Sequence, residues 1–227
     1  MTRRNRVTPT GDILALPLRG RFMGNRGVLH DGAGEIVRTW NVKAWLICRT
    51  EFKGRHRAIM TPDRYTELFF LDEVHALAAG HRPCFECRRE AFHAFREVAG
   101  LSGARALDEA LHAERLTGAK GMRRSQRRAR SHSTKAADLP VGAMVLVGKT
   151  AFARTERGFV AWSEDAPEGY LAEFSGRSRR DADTLWASLK SDAPLAMLTP
   201  PTSAKALQAG YAPQWHESAA NACMVEV

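Results

Sequence analysis

The chain has 227 residues, 44% of them hydrophobic and 26% charged, which is the composition of a soluble globular protein long enough to bury a real core. Its four cysteines, two close together and two scattered, exclude a secreted disulfide framework, and no apolar run approaches membrane-spanning length. The formal net charge is +9. The basic start, Met1 to Arg6, is interrupted by Pro9, Thr10, Gly11 and Asp12 before any apolar leader can form, so a cytoplasmic location with no membrane partner is expected.

In chain order, Gly27 to His30 and Glu35 to Arg38 are short strand candidates around Asp31-Gly32-Ala33-Gly34, a turn-rich spacer that predicts a hairpin. Ala44 to Thr50 and Arg57 to Met60 predict a second hairpin, closed through Lys53-Gly54. The acidic start and apolar spacing of Asp72 to Leu77 predict a short helix that ends at Gly80. A helix from Arg88 carries Ala91, Phe92, Phe95 and Val98 on one face and stops at Gly100. Another is expected over Ala104 to Leu116, with Leu107, Ala110 and Leu111 inward. From Leu139 the texture becomes β-like: Met144 to Val147, Phe152 to Arg154 and Phe159 to Trp162, with Leu195 to Pro201 ending a further strand, then a short helix from Ser203 to Ala209. The expected fold class is α+β. A small α+β domain is expected over residues 1–100, a helix and basic connector over 101–138, and a small β-rich domain over 139–227.

The knuckle Pro83-Cys84-Phe85-Glu86-Cys87 carries the clearest chemistry. A C-x-x-C turn aims two thiolates at one metal ion, and the helix that begins beyond Cys87 favours the anionic form of that sulfur. Half of a tetrahedral zinc site is the expectation, a redox pair and ordinary buried cysteines being the alternatives. Cys48, in the strand-like Ala44 to Cys48, is the expected third ligand. His30 and His56 compete for the fourth place. If Lys53-Gly54 is a two-residue turn, strand alternation points His56 away from the face of Cys48, which favours His30.

Ile47-Cys48-Arg49, followed by Glu73 to Cys87 as E-x-x-A-L-A-A-G-x-R-P-C-x-x-C, resembles the metal-binding domain of the bacterial alkylation-response protein Ada and its relatives. The resemblance covers Ala44 to Arg88. It implies a zinc site in which Cys48 matches the cysteine that accepts a methyl group from a DNA phosphotriester, while Cys84 and Cys87 match the last two ligands. Phe52 stands where the family places its other early cysteine. A phenylalanine cannot bind zinc, and a neutral histidine in its stead makes the centre less negative. Cys48 is therefore expected to serve as a ligand and not as a methyl acceptor.

Two further features bear on function. Asp108, His112 and Arg115 fall at i, i+4 and i+7 of the 104–116 helix, with Glu114 at the edge of the same face. An Asp one turn before a His can orient its imidazole, so Asp108, His112 and Glu114 are the candidate catalytic residues of a metal-dependent hydrolase or nuclease. Between positions 115 and 137 stand eight cations, Arg115, Lys120, Arg123, Arg124, Arg127, Arg128, Arg130 and Lys135, and no acid. Removing these eight from the 34 Lys and Arg leaves 26 against 25 Asp and Glu, so nearly the whole excess lies in one segment. Clustered cations release condensed counterions from phosphates. The function expected is a zinc-containing nucleic-acid-binding protein, with DNA the favoured partner, acting in repair or regulation. The rivals are the hydrolase and a protein–protein interaction module.

Overall fold

Short strands with buried charge between them build the N-terminal half of the molecule. The computed structural model describes residues 2–54, 58–115 and 131–226. Its first sheet contains β1 (Arg6–Val7), β2 (Ile13–Leu14), β3 (Phe22–Asn25), β4 (Leu46–Arg49), β5 (Leu68–Phe70) and β6 (Arg82–Pro83), in the order β2-β1-β5-β3-β4-β6. The central strand β3 runs antiparallel to both neighbours, so Met23 lies opposite Cys48 on one side and Phe69 on the other. Gly24 permits this approach: a Cβ there would sit 2.0 Å from the Leu46 carbonyl oxygen and 2.8 Å from the Phe70 ring.

The first expected hairpin forms in short form and the second does not. Around Asp31 to Gly34 the chain turns back on itself through an antiparallel bridge between His30 and Ile36, flanked by Asp31 N–H to the Glu35 carbonyl at 3.0 Å and Val37 N–H to the Leu29 carbonyl at 2.9 Å. In the second case the strand at Cys48 is present as β4, but its partners are β3 and β6. Ala58 to Met60 is not a strand. Local turn chemistry proposed a neighbour, and apolar pairing with a more distant strand prevailed.

The helices follow expectation more closely. In α1 (Glu73–Ala78) the Asp72 carboxylate accepts the His75 backbone N–H at 2.9 Å, and all six residues are buried. Gly80 follows with φ near 83°. The next helix, α2 (Arg89–Ala99), buries Phe92, Phe95 and Ala99 and ends at Gly100 in the left-handed conformation. On α3 (Ala104–Arg115), Leu107, Leu111 and Arg115 are buried.

The second sheet comprises β7 (His132–Thr134), β8 (Met144–Val147), β9 (Thr150–Arg154), β10 (Gly158–Trp162), β11 (Leu195–Met197) and β12 (Met224–Glu226), ordered β12-β10-β9-β8-β11-β7 and antiparallel throughout. Two helices accompany it, α4 (Gly176–Ser191) and α5 (Pro201–Gln208). The chain is thus mixed α and β with two sheets and five helices among the described residues, consistent with the α+β class. A single apolar cluster takes in Ile47, Leu77 and Phe95 from the first layer and Val145, Phe152 and Leu207 from the second. No helix among the described residues is long and apolar enough to cross a membrane.

Candidate metal centre

The fold delivers three cysteines to one place from two elements distant in sequence. Along β4, Ile47 enters the core and Cys48 projects to the opposite face, as strand alternation requires. Beside it β6 runs parallel, and the Cys84 N–H donates to the Ile47 carbonyl at 2.9 Å. This bond clamps the knuckle onto the strand that carries Cys48. The sulfurs of Cys48, Cys84 and Cys87 all lie within 4.8 Å of one another. Cys48 and Cys84 are buried, and Cys87 is half-buried.

Backbone amides face these sulfurs. Glu86 N–H donates to Cys84 Sγ and Arg49 N–H donates to Cys87 Sγ, both at 3.4 Å, and such donors favour the thiolate. Among themselves the thiols cannot all ionise. Hydrogen bonds from Cys48 and Cys87, with backbone donors behind them, push the Cys84 thiol far down. Cys48 is pushed up by its bonds to Cys84 and Cys87 and by burial. A divalent cation relieves this conflict by letting all three sulfurs carry charge together. Three convergent sulfurs with amide donors suit a soft, tetrahedral ion, and these residues could hold one.

A buried ion pair supports the knuckle from behind. Arg88 donates to both oxygens of Glu73, at 2.7 and 2.8 Å, and both side chains are almost fully buried. Glu73 also accepts from Tyr211 Oη at 2.6 Å and from the Gln214 N–H at 3.0 Å. The residue after the last cysteine is thereby tied to α1 and to the C-terminal segment. Sequence reasoning did not assign this role, although both residues flank the C-x-x-C motif, and a buried Glu just after a helix cap needs a cationic partner.

His30 does not join the cysteines. Its Nε2 lies 3.2 Å from the Thr61 carbonyl, which can only accept, so Nε2 carries the proton. Nδ1 then accepts from the Thr66 hydroxyl at 2.6 Å, while that oxygen accepts the Leu29 N–H at 2.9 Å. Both ring nitrogens are committed to holding the loop. Among the described residues only the three cysteines group as metal ligands; His56 lies outside them.

The face of α3 divides among separate partners. Asp108 binds Arg82 through two bonds of 2.9 and 2.8 Å, Glu114 accepts from the N–H and hydroxyl of Thr202 at 3.0 and 2.7 Å, and His112 stacks edge-on against Trp40 with centroids 4.6 Å apart. Asp108, expected to orient His112 from one turn before it, is thus paired with a buried guanidinium from another element. Arg115, counted among the phosphate-binding cations, is buried instead; it donates to the Gly80 and Lys43 carbonyls and stacks on Trp45. Lys135 is exposed and paired with Asp192. Lys120, Arg123, Arg124, Arg127, Arg128 and Arg130 lie outside the described residues.

Compared with family models, with curated proteins and with solved structures, the chain shows no match.

Proposed function

We propose that the chain is a zinc-thiolate protein that binds nucleic acid, DNA foremost. One observation carries this reading: Cys48 meets the C-x-x-C knuckle, a strand and a turn brought together in the arrangement a tetrahedral thiolate site needs. The Ada-type resemblance belongs to the same proposal, since the segment that carries it contains all three cysteines. Cys48, Cys84 and Cys87 would hold the ion. When bound, zinc supplies a cross-link between β4 and the knuckle and keeps the three sulfurs ionised. In this reading residues 1–100 hold the metal, 101–138 supply the phosphate-binding charge, and 139–227 complete the core.

The charge imbalance of the sequence supports the nucleic-acid half. With Arg115 removed to the interior and Lys135 paired with Asp192, the cations left to meet phosphates are Lys120, Arg123, Arg124, Arg127, Arg128 and Arg130. The hydrolase alternative draws no support from α3, where Asp108 and Glu114 serve structural partners.

The test replaces Arg123, Arg124, Arg127 and Arg128 by alanine and follows duplex binding against salt concentration. Affinity is expected to fall alike for all sequences, and the logarithmic salt slope to flatten by about 0.9 for each phosphate that is no longer neutralised. A variant that keeps the wild-type slope would show that the segment is only a connector.

A further inference from the structure

The three cysteines also share a wall of one pocket of about 480 Å³. Its floor is a row across the first sheet, Phe69 on β5, Met23 on β3 and Cys48 on β4, which stand in register on neighbouring strands and so project from the same face. Phe52, Ile59 and Tyr65 add to the lining. Phe52 therefore brings an aromatic wall to the position where the resemblance implies a fourth sulfur.

Structural zinc sites are closed by four protein ligands, whereas reactive sites hold three and leave one position to an outside molecule. Here three sulfurs converge beside a cavity, and no described His, Asp or Glu joins them. The chemistry of the cavity narrows the class of guest. A thiolate is a donor that zinc-type ions accept readily, and Met23, Phe52, Ile59, Tyr65 and Phe69 give an apolar body one side of the cavity to pack on, while Arg49, Thr50, Glu67 and Glu86 line the rest.

We infer that this pocket receives an external thiol with an apolar body, whose sulfur completes the donor set that Cys48, Cys84 and Cys87 begin. With a metal held by the three cysteines, the guest would bind as its thiolate: the S–H proton would pass to solvent and the sulfur would keep its electron pair for the metal, so no oxidant or reductant would be consumed. The inference rests on the zinc-thiolate reading above, and the two fail differently in the following experiment.

The full chain is loaded with cobalt(II) as a coloured stand-in for zinc and titrated separately with phenylethanethiol, mercaptoethanol and phenylethanol. Phenylethanethiol is expected to add a saturable sulfur-to-cobalt absorption at roughly tenfold lower concentration than mercaptoethanol, the advantage of burying the ring. Phenylethanol should leave the spectrum unchanged. Tyr65→Ala should shrink that tenfold advantage without altering the spectrum before titration. Three results would overturn the inference: a spectrum that no thiol alters while cobalt stays bound, release of cobalt into solution by the thiol, or a starting spectrum changed by His56→Ala, which would place His56 in the fourth position. A chain that takes up no cobalt overturns the metal centre itself and the inference with it.

Discussion

The two sheets contain opposite kinds of interior. Among the described residues every buried charged side chain falls at or before Arg115: Arg26, Glu67, Asp72, Glu73, Arg82, Arg88 and Arg115, together with the histidines 30, 75 and 81. Beyond residue 131 the buried polar residues are only Thr150, Ser163, Thr199 and Ser203. Buried charge opposes folding unless it is paired with good geometry, and apolar residues of the same volume often serve stability as well or better. The second sheet is organised as a folding core. The first accepts charge because it has a knuckle to hold, and Arg88 with Glu73 does so directly behind Cys87.

The largest effect that would break this contrast is at Glu73. Glu73→Gln leaves the Arg88 guanidinium buried without its carboxylate, and removing one partner of such a pair costs about 3–5 kcal/mol. The loss should appear in chemical denaturation at neutral pH, and a loss below about 1 kcal/mol would show that the pair is dispensable. On the other sheet, Leu185→Ala on α4 removes a fully buried side chain from the apolar cluster. It should cost about 2–5 kcal/mol through transfer and cavity terms. That cost should not change between pH 4 and 7, since the side chain it removes carries no charge and packs in an apolar cluster; a pH-dependent cost would contradict an interior around Leu185 that holds no titrating group.

The smallest expected effect at neutral pH, and the sharpest in acid, is at His75. This ring is fully buried against Trp162 and Tyr170, and neither nitrogen has a hydrogen-bond partner. Burial, followed by the neighbouring His216, lowers its pKa to about 3. A histidine held neutral in the fold contributes stability that is present above its unfolded pKa near 6.5 and lost as pH falls toward 3. Asp72 acts in the other sense: burial raises it to about 6, so its contribution declines as pH rises from about 4 to 6. His75→Phe should therefore leave stability at pH 7 unchanged or slightly higher. It should also remove the acid loss, leaving a variant more stable at pH 4.5 than at 7. Thermal melts across this range check the sign, and a variant as acid-labile as the wild type would mean that groups other than His75 cause the acid loss.

Legibility in the sequence cut across this division. Helices with a strong apolar stripe were readable, as at Arg89–Ala99 with its glycine stop and at Ala104–Arg115, and so were the β8 to β10 strands and the one that ends before Pro200. The longest helix, α4, escaped because only Ala182 and Leu185 are buried in its sixteen residues, too few to set a period. Strand β3 escaped because Gly24 interrupts its apolar pattern, although that glycine is what lets Leu46 approach. At the metal centre, Cys84 and Cys87 were legible from spacing and Cys48 from its strand. The position of His30 was not, since a histidine beside a turn looks the same whether it binds metal or, as here, a threonine hydroxyl and a carbonyl. On the α3 face, i,i+4 spacing shows which residues are neighbours but not that Arg82 arrives from another element to bind Asp108.

The most direct test of the central claim is metal content. Elemental analysis of the purified chain, set beside the single variants Cys48→Ser, Cys84→Ser and Cys87→Ser, should find about one zinc per wild-type chain. After dialysis each variant should have lost it, with a fall in stability on the order of 10 kcal/mol where the site is abolished. A wild-type chain without metal would contradict the account, as would a Cys48→Ser variant that keeps its zinc with undiminished stability, because the strand and the knuckle would then not belong to one site.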